Sequence, residues 1–179
     1  ISEKSRAQFN ALFSEDDDPM TVDRLTVDLR NNGFLPSWER EDIPGTKDNW
    51  EVGGDYEFRR DNGDRFKVLF IANENDAANT RERWDVFGDG TEEKNLFLDT
   101  SSVTEERIVR GSYTMNLFDG QSIEFGAERA QTMLDSSLRL GVASLTGTPS
   151  ADHGGLTAVN VSNANTRVEE VRYEPFAIH

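Results

Sequence analysis

The sequence predicts an all-β protein, an antiparallel meander of long strands, and three observations carry that expectation. Apolar and polar residues alternate with a period of two over 49–60, 65–73 and 107–128, which puts one set of side chains on each face of an extended strand. Turn-forming dipeptides separate these runs, Asn62-Gly63 between the first two and Asp119-Gly120 inside the third; both tolerate the positive φ of a tight hairpin. Helical periodicity is scarce throughout.

Taken in order, residues 1–13 offer a short amphipathic helix through Ala7, Leu12 and Phe13, or a strand through Phe9, Ala11 and Phe13; the strand is preferred. The segment 14–20, SEDDDPM, reads as a turn or loop, because Pro19 and the acidic run oppose regular pairing. Residues 24–30 alternate Leu25, Val27 and Leu29 with polar neighbours and read as a strand. The stretch 31–48, with Pro36, Pro44, Gly33 and Gly45, is expected to be a long loop. The strongest pattern follows. Trp50, Val52, Tyr56 and Phe58 share one face over 49–60, and Phe66, Val68, Phe70 and Ala72 share one face over 65–73, which predicts a hairpin. Residues 74–106 are mostly polar and read as a long connection, with short strands near 82–87 and 95–99. The second hairpin sets Val109, Tyr113, Met115 and Leu117 against Ile123, Phe125 and Ala127. Residues 136–160 begin as an extension of it and become a loop rich in Gly, Ser and Thr, and 166–176 close with a strand. The expected total is six to eight strands within one unit spanning 1–179. No fixed repeat joins the hairpins.

Composition narrows the function. Only 35% of residues are hydrophobic and 30% are charged, so a globular core would be thin. The longest apolar run, VLFIA at 68–72, falls far short of the roughly 20 residues of a membrane helix. A net charge of −15 repels phosphate backbones, so no nucleic-acid partner is expected. Without cysteine there is no disulfide framework or thiolate chemistry. The chain starts at Ile1 without a signal peptide and keeps strand character to its last residues, so it is expected to be a piece of something longer.

No catalytic, cofactor-binding or metal-binding residue is assigned, and no enzyme activity or cofactor is expected. His153 and His179 lack metal-ligand spacing. Asp16, Asp17 and Asp18 lack the spaced pattern of a calcium loop, as do Asp85, Asp89, Glu92 and Glu93, and both groups read as solvated turns. Neither a nucleophile elbow nor a phosphate-cradling Gly-rich loop is present. Asn160-Val161-Ser162 matches a glycosylation sequon by pattern only. Trp50, opening a strand, suits either a core or a membrane-interface aromatic row. Trp38 and Trp84, in loop-like surroundings, are expected to pin those loops rather than contact a sugar.

Long alternating strands, with tight turns at one end (61–64, 118–121) and long polar connections at the other (31–48, 74–106, 136–165), describe the wall of an outer-membrane barrel. The segments NWEVGGDYEFRRDNGDRFKVLFIAN and QSIEFGAERAQTMLDSSL resemble barrel hairpins of TonB-dependent outer-membrane receptors over much of 49–140, with weaker likeness at 20–48 and 166–179. The resemblance implies a bacterial outer-membrane parent, a barrel of about 22 strands with a plug, and uptake of a ligand such as a siderophore. Its partners would be outer-membrane lipid and the rest of the barrel. No plug or TonB-box segment matches, and these strands are too few to close such a barrel. Two alternatives stand beside it: a released, extracellular fragment self-associating into a stacked cross-β, amyloid-like filament through FKVLFIAN and YTMNLF, and a soluble β-sandwich or lipocalin-like ligand-binding domain.

Overall fold

A computed structural model describes residues 4–27, 36–118 and 120–178. They form one ten-stranded sheet. The strands are β1 (Ser5–Asp17), β2 (Met20–Val27), β3 (Pro36–Ile43), β4 (Gly45–Arg59), β5 (Arg65–Val86), β6 (Glu92–Phe118), β7 (Gln121–Val142), β8 (Pro149–Ser150), β9 (Leu156–Val159) and β10 (Thr166–Ile178). A single 3-10 turn, Ala151–His153, is the one helical element among the described residues. All pairing is antiparallel. The predicted meander is therefore observed, as an open sheet: β1 pairs only β4, β10 pairs only β7, and the two do not meet.

Register shows six long runs rather than ten separate strands. Asp17 faces Thr46 and Met20 faces Ile43, so β1 and β2 continue one another against β4 and β3 in the same register. The expected loop at 14–20 shrinks to Asp18 and Pro19, because Asp18 N–H still donates to Gly45 O at 3.0 Å. The expected loop at 31–48 is likewise corrected beyond residue 35. Pro36 opens β3, where a missing donor costs little, and Pro44 sits between β3 and β4, accepting from Thr80 N–H at 3.0 Å. Leu29 and the rest of 28–35 lie outside the described residues, as do Asp119 and His179. The preferred strand near the start is present as β1.

The largest correction concerns 74–106. Instead of a long connection with two short strands, these residues complete β5 (22 residues) and begin β6 (27 residues), joined by a tight turn at 87–91. Backbone ladder bonds do not depend on side-chain polarity, and the polar side chains find partners across strands. Thr80 Oγ1 donates to Asp99 Oδ1 at 3.0 Å, Arg139 Nε donates to Asp99 Oδ2 at 2.9 Å, and Lys94 Nζ donates to Glu82 Oε1 at 2.6 Å. At ~3.4 Å per residue β6 runs for about 90 Å. Likewise 136–165 divides: β7 extends to Val142, and β8, the 3-10 turn and β9 fold back beside its far end.

A single layer has almost no interior. Ala130 is the only buried hydrophobic residue described, and the accessible surface is 12651 Å². A compact chain of 20.2 kDa would expose about 8,800 Å². A β-sandwich needs a second packed sheet, which the described residues do not supply.

Local anchors fix the edges. The hairpin turn between β4 and β5 closes on Asp64, whose carboxylate accepts from Tyr113 Oη at 2.6 Å, Asn62 Nδ2 at 2.8 Å and Asn116 N–H at 3.2 Å. On β10 the Phe176 ring lies across Gly126, where a Cβ would come within 2.6 Å of it and within 2.2 Å of Gly111 O; the Arg110 guanidinium lies over the same ring, 4.3 Å from its centre. Gly126→Val is expected to destabilise this edge by about 1–3 kcal/mol. Hydrogen exchange should speed along 166–178 while 65–86 stays protected; unchanged exchange in β10 would refute the packing argument.

Candidate functional site: a one-sided apolar band

Alternation and register assemble the apolar residues of six runs onto one face. Ser5, Phe58, Phe66, Tyr113, Phe125 and Ala177 form one row across the sheet. The next rows carry Ala7, Tyr56, Val68, Gly111, Ala127 and Pro175, then Phe9, Gly54, Phe70, Val109, Arg129 and Tyr173. Most of the large apolar side chains here are exposed, Phe9, Phe13 and Tyr173 most of all. Gly54 is a fitted exception: a Cβ there would meet the Phe70 ring at 3.0 Å, so the ring of the directly opposite residue fills the gap. With six runs ~4.8 Å apart and a height of roughly 25 Å, the patch covers about 700 Å², beyond the few hundred usual on a soluble monomer.

The band has two edges and a slope. From Trp50 to Phe58 on β4, and from Val109 to Leu117 on β6, it spans nine residues, the length of a tilted strand crossing a bilayer. Aromatic rings concentrate at both limits: Phe58, Phe66, Tyr113 and Phe125 toward the tight turns, Phe9, Phe13, Trp50, Phe70 and Tyr173 toward the far end. The far border descends across the sheet. Phe13 faces Trp50; Trp50 faces Glu74, so on β5 the border falls back to Ala72; it falls again to Val109 on β6 and to Ala127 on β7. Three two-residue steps over four strand spacings amount to about 20 Å along the strands per ~19 Å across them, a slope near 45°. Only edge strand β10, with Tyr173 and Val171, departs from that trend.

The opposite face is mainly polar at the same level, with Leu69, Ile71, Ile108 and Phe176 interspersed. Arg65, Lys67, Leu69, Arg110, Ser112 and Glu124 line a depression of about 310 Å³ there, and just beyond the border Asn75 Nδ2 donates to Asn49 Oδ1 at 2.5 Å. Above the band charged and polar residues predominate on both faces, with apolar ones interspersed, Leu98, Leu134 and Leu140 on one face and Phe97, Val103 and Met133 on the other. Among these residues Glu41, only 2% exposed, is the most enclosed charge described. It accepts from Arg81 Nη2 at 2.7 Å (Oε1) and from Arg81 Nε at 3.1 Å (Oε2), with Arg24 at 3.7 Å. The Arg81 hydrogen bond, working against the desolvation of burial, holds the Glu41 carboxyl below its ordinary value of 4.5.

The residues weighed from sequence are dispersed by this architecture. Asp16 and Asp17 point to opposite faces of β1, and Asp18 occupies the break. Asp89 bonds Thr91 within its own turn, Glu92 pairs with Arg40 at 2.9 Å, and Asp85 faces Glu93 across the ladder. Among the described residues no three acidic or His groups are placed to hold a metal. His153 sits in the 3-10 turn with Nδ1 3.4 Å from Ser150 Oγ, and Asn160 follows β9. Trp50 stands at the band's far border, not in a core. Trp38 and Trp84 lie on strands, not loops; Arg40 and Lys94 flank the Trp84 ring at 4.7 and 5.4 Å, while Trp38 is half exposed. Sequence reasoning missed the Glu41–Arg81 pair. Its only trace was an excess of charge in a segment expected to be loop.

No family model matches the chain, and neither the curated proteins nor the solved structures contain a match.

Proposed function

We propose that this chain is a non-enzymatic segment of the wall of a TonB-dependent outer-membrane receptor, serving the uptake of a ligand such as a siderophore. The observation that carries a membrane wall is the band: concentrated on one face, up to nine residues deep, bounded by aromatic rows and sloping as tilted barrel strands require. The receptor class draws its support from the hairpin resemblance over 49–140. In this reading the bacterial outer membrane is the location, lipid meets the apolar face, the polar face lines the lumen, and the rest of the barrel pairs with β1 and β10. The polar ribbons beyond the band stand clear of the membrane on the ligand side.

The chain contains no cysteine, so single cysteines introduced along β5 and β6 report their surroundings cleanly. Reconstituted in bilayers, labels at 66, 68, 70 and 72 should be quenched from the lipid phase and labels at 65, 67, 69 and 71 from water. Beyond Glu74 and Glu105 both parities should be water-accessible. Equal quenching of the two parities within the band would end the proposal. A second reading, self-assembly of the isolated segment into a β filament, is favoured by the two open edges; micrographs of dispersed, unaggregated particles without detergent would exclude it.

A further inference from the structure

Just beyond the far border of the band the two sides of the sheet differ in charge. On β1, β4 and β5 the next residues outward on that face are Glu15, Asp48 and Glu74. On β6 and β7 they are Arg107 and Arg129. Arg129 is the unusual one. Its cross-strand neighbours are Val109 and Tyr173, and Ala127 and Gln131 flank it along the strand. In a chain of net charge −15 it makes no ion pair among the described residues. Its Nη2 donates to Gln131 Oε1 at 3.0 Å and its Nε to Tyr173 Oη at 3.4 Å, leaving further donors unspent, and the guanidinium lies 5.9 Å from the Tyr173 ring centre. Arg107 faces Gln131 directly, with its one carboxylate contact, Glu105, on its own strand at 2.8 Å. The acids nearest Arg129 along this face, Glu105 and Glu169, stand two rungs farther from the band, opposite Met133, and Glu169 Oε1 accepts from Gln131 Nε2 at 2.6 Å.

We propose that Arg129, with Arg107, Gln131 and Tyr173 around it, binds the phosphate of an anionic lipid headgroup at the border of the apolar band. A guanidinium offers a planar fork that matches phosphate oxygens. Its alkyl stem rests on apolar neighbours while the head reaches the polar layer. The phenol and the amide hold it in place without neutralising it. The acidic border on β1, β4 and β5 repels such a headgroup, which confines the site to the β6–β7 side. This inference rests on the membrane reading above and adds the class of lipid.

The test is flotation of the whole chain with phosphatidylcholine vesicles and with the same vesicles carrying phosphatidic acid. An acidic chain should on average avoid the anionic vesicles, so a preference for them is diagnostic. The wild-type chain is expected to prefer them, Arg129→Gln to lose about fivefold of that preference, and Arg167→Gln, which removes a cation paired with Asp135 at 3.9 Å on the same face, to leave it intact. Equal flotation on both vesicles, or equal behaviour of Arg129→Gln and wild type, overturns the site and leaves the membrane reading standing. Failure to float on either vesicle overturns both. Loss of the preference in millimolar inorganic phosphate would assign the site to free phosphate and overturn the lipid.

Discussion

Replacing Val68 with arginine is expected to abolish stable insertion of the chain into a bilayer, while arginine at the adjacent Leu69 is tolerated. Val68 lies in the middle of the band, with Tyr56 and Gly111 across the ladder and Phe66 and Phe70 on either side along the strand. Leu69 projects to the other face, opposite Asp55 and Arg110. A cation on the lipid face near the bilayer centre costs about 2–4 kcal/mol, which is roughly a 30- to 900-fold loss of inserted chain; on the lumen face it costs little. Equilibrium unfolding by urea in vesicles measures both variants. The comparison matters more than either value. The two residues are neighbours with similar propensity, so a defect in strand formation would affect both alike. If Leu69→Arg proves as damaging as Val68→Arg, neither face is lipid-facing.

The second large effect belongs to the polar ribbon. Glu41→Gln should destabilise the far ends of β2, β3 and β5 by about 2–3 kcal/mol, because it leaves the Arg81 guanidinium facing a neutral amide in an enclosed position. Arg81 itself is one-third exposed, which keeps the figure below that of a fully buried pair. Arg81→Lys should recover only part of the loss, since an ammonium cannot reproduce the fork that grips both carboxylate oxygens. The pH dependence has a definite sign. The folded-state value of Glu41 lies below 4.5, so its contribution is complete above that pH and is lost as pH falls through the lower value. Acid unfolding followed by hydrogen exchange at 20–27 and 36–43 should therefore be less steep below pH ~4.5 in Glu41→Gln than in wild type. An identical acid slope would remove the pair from any role in stability.

Both expectations depend on where register places a side chain, and the sequence disclosed this unevenly. Phe66, Val68 and Phe70 announced their shared face through alternation alone, and Asn62-Gly63 announced the turn that sets Phe66 opposite Phe58. Glu41 and Arg81 gave no such notice. They are 40 residues apart and become partners only because β3 continues the register of β4 against β5 past Pro44. Asp99 was equally hidden: its partners Thr80 and Arg139 come from the strands on either side. Polar segments misled most, since 74–106 carries few of the β-branched and aromatic residues by which a strand is recognised.

By itself the sequence determined the all-β class, the two tight hairpins and the alternation that segregates apolar from polar side chains, because these are local consequences of a two-residue period and of turn dipeptides. Tertiary structure alone decided how far the strands run, which charges meet, and that separate apolar stripes merge into one sloping band. Those outcomes depend on pairing between distant strands, where backbone hydrogen bonds extend a ladder whatever the side chains are, and a stripe becomes a surface only when its neighbours are in register.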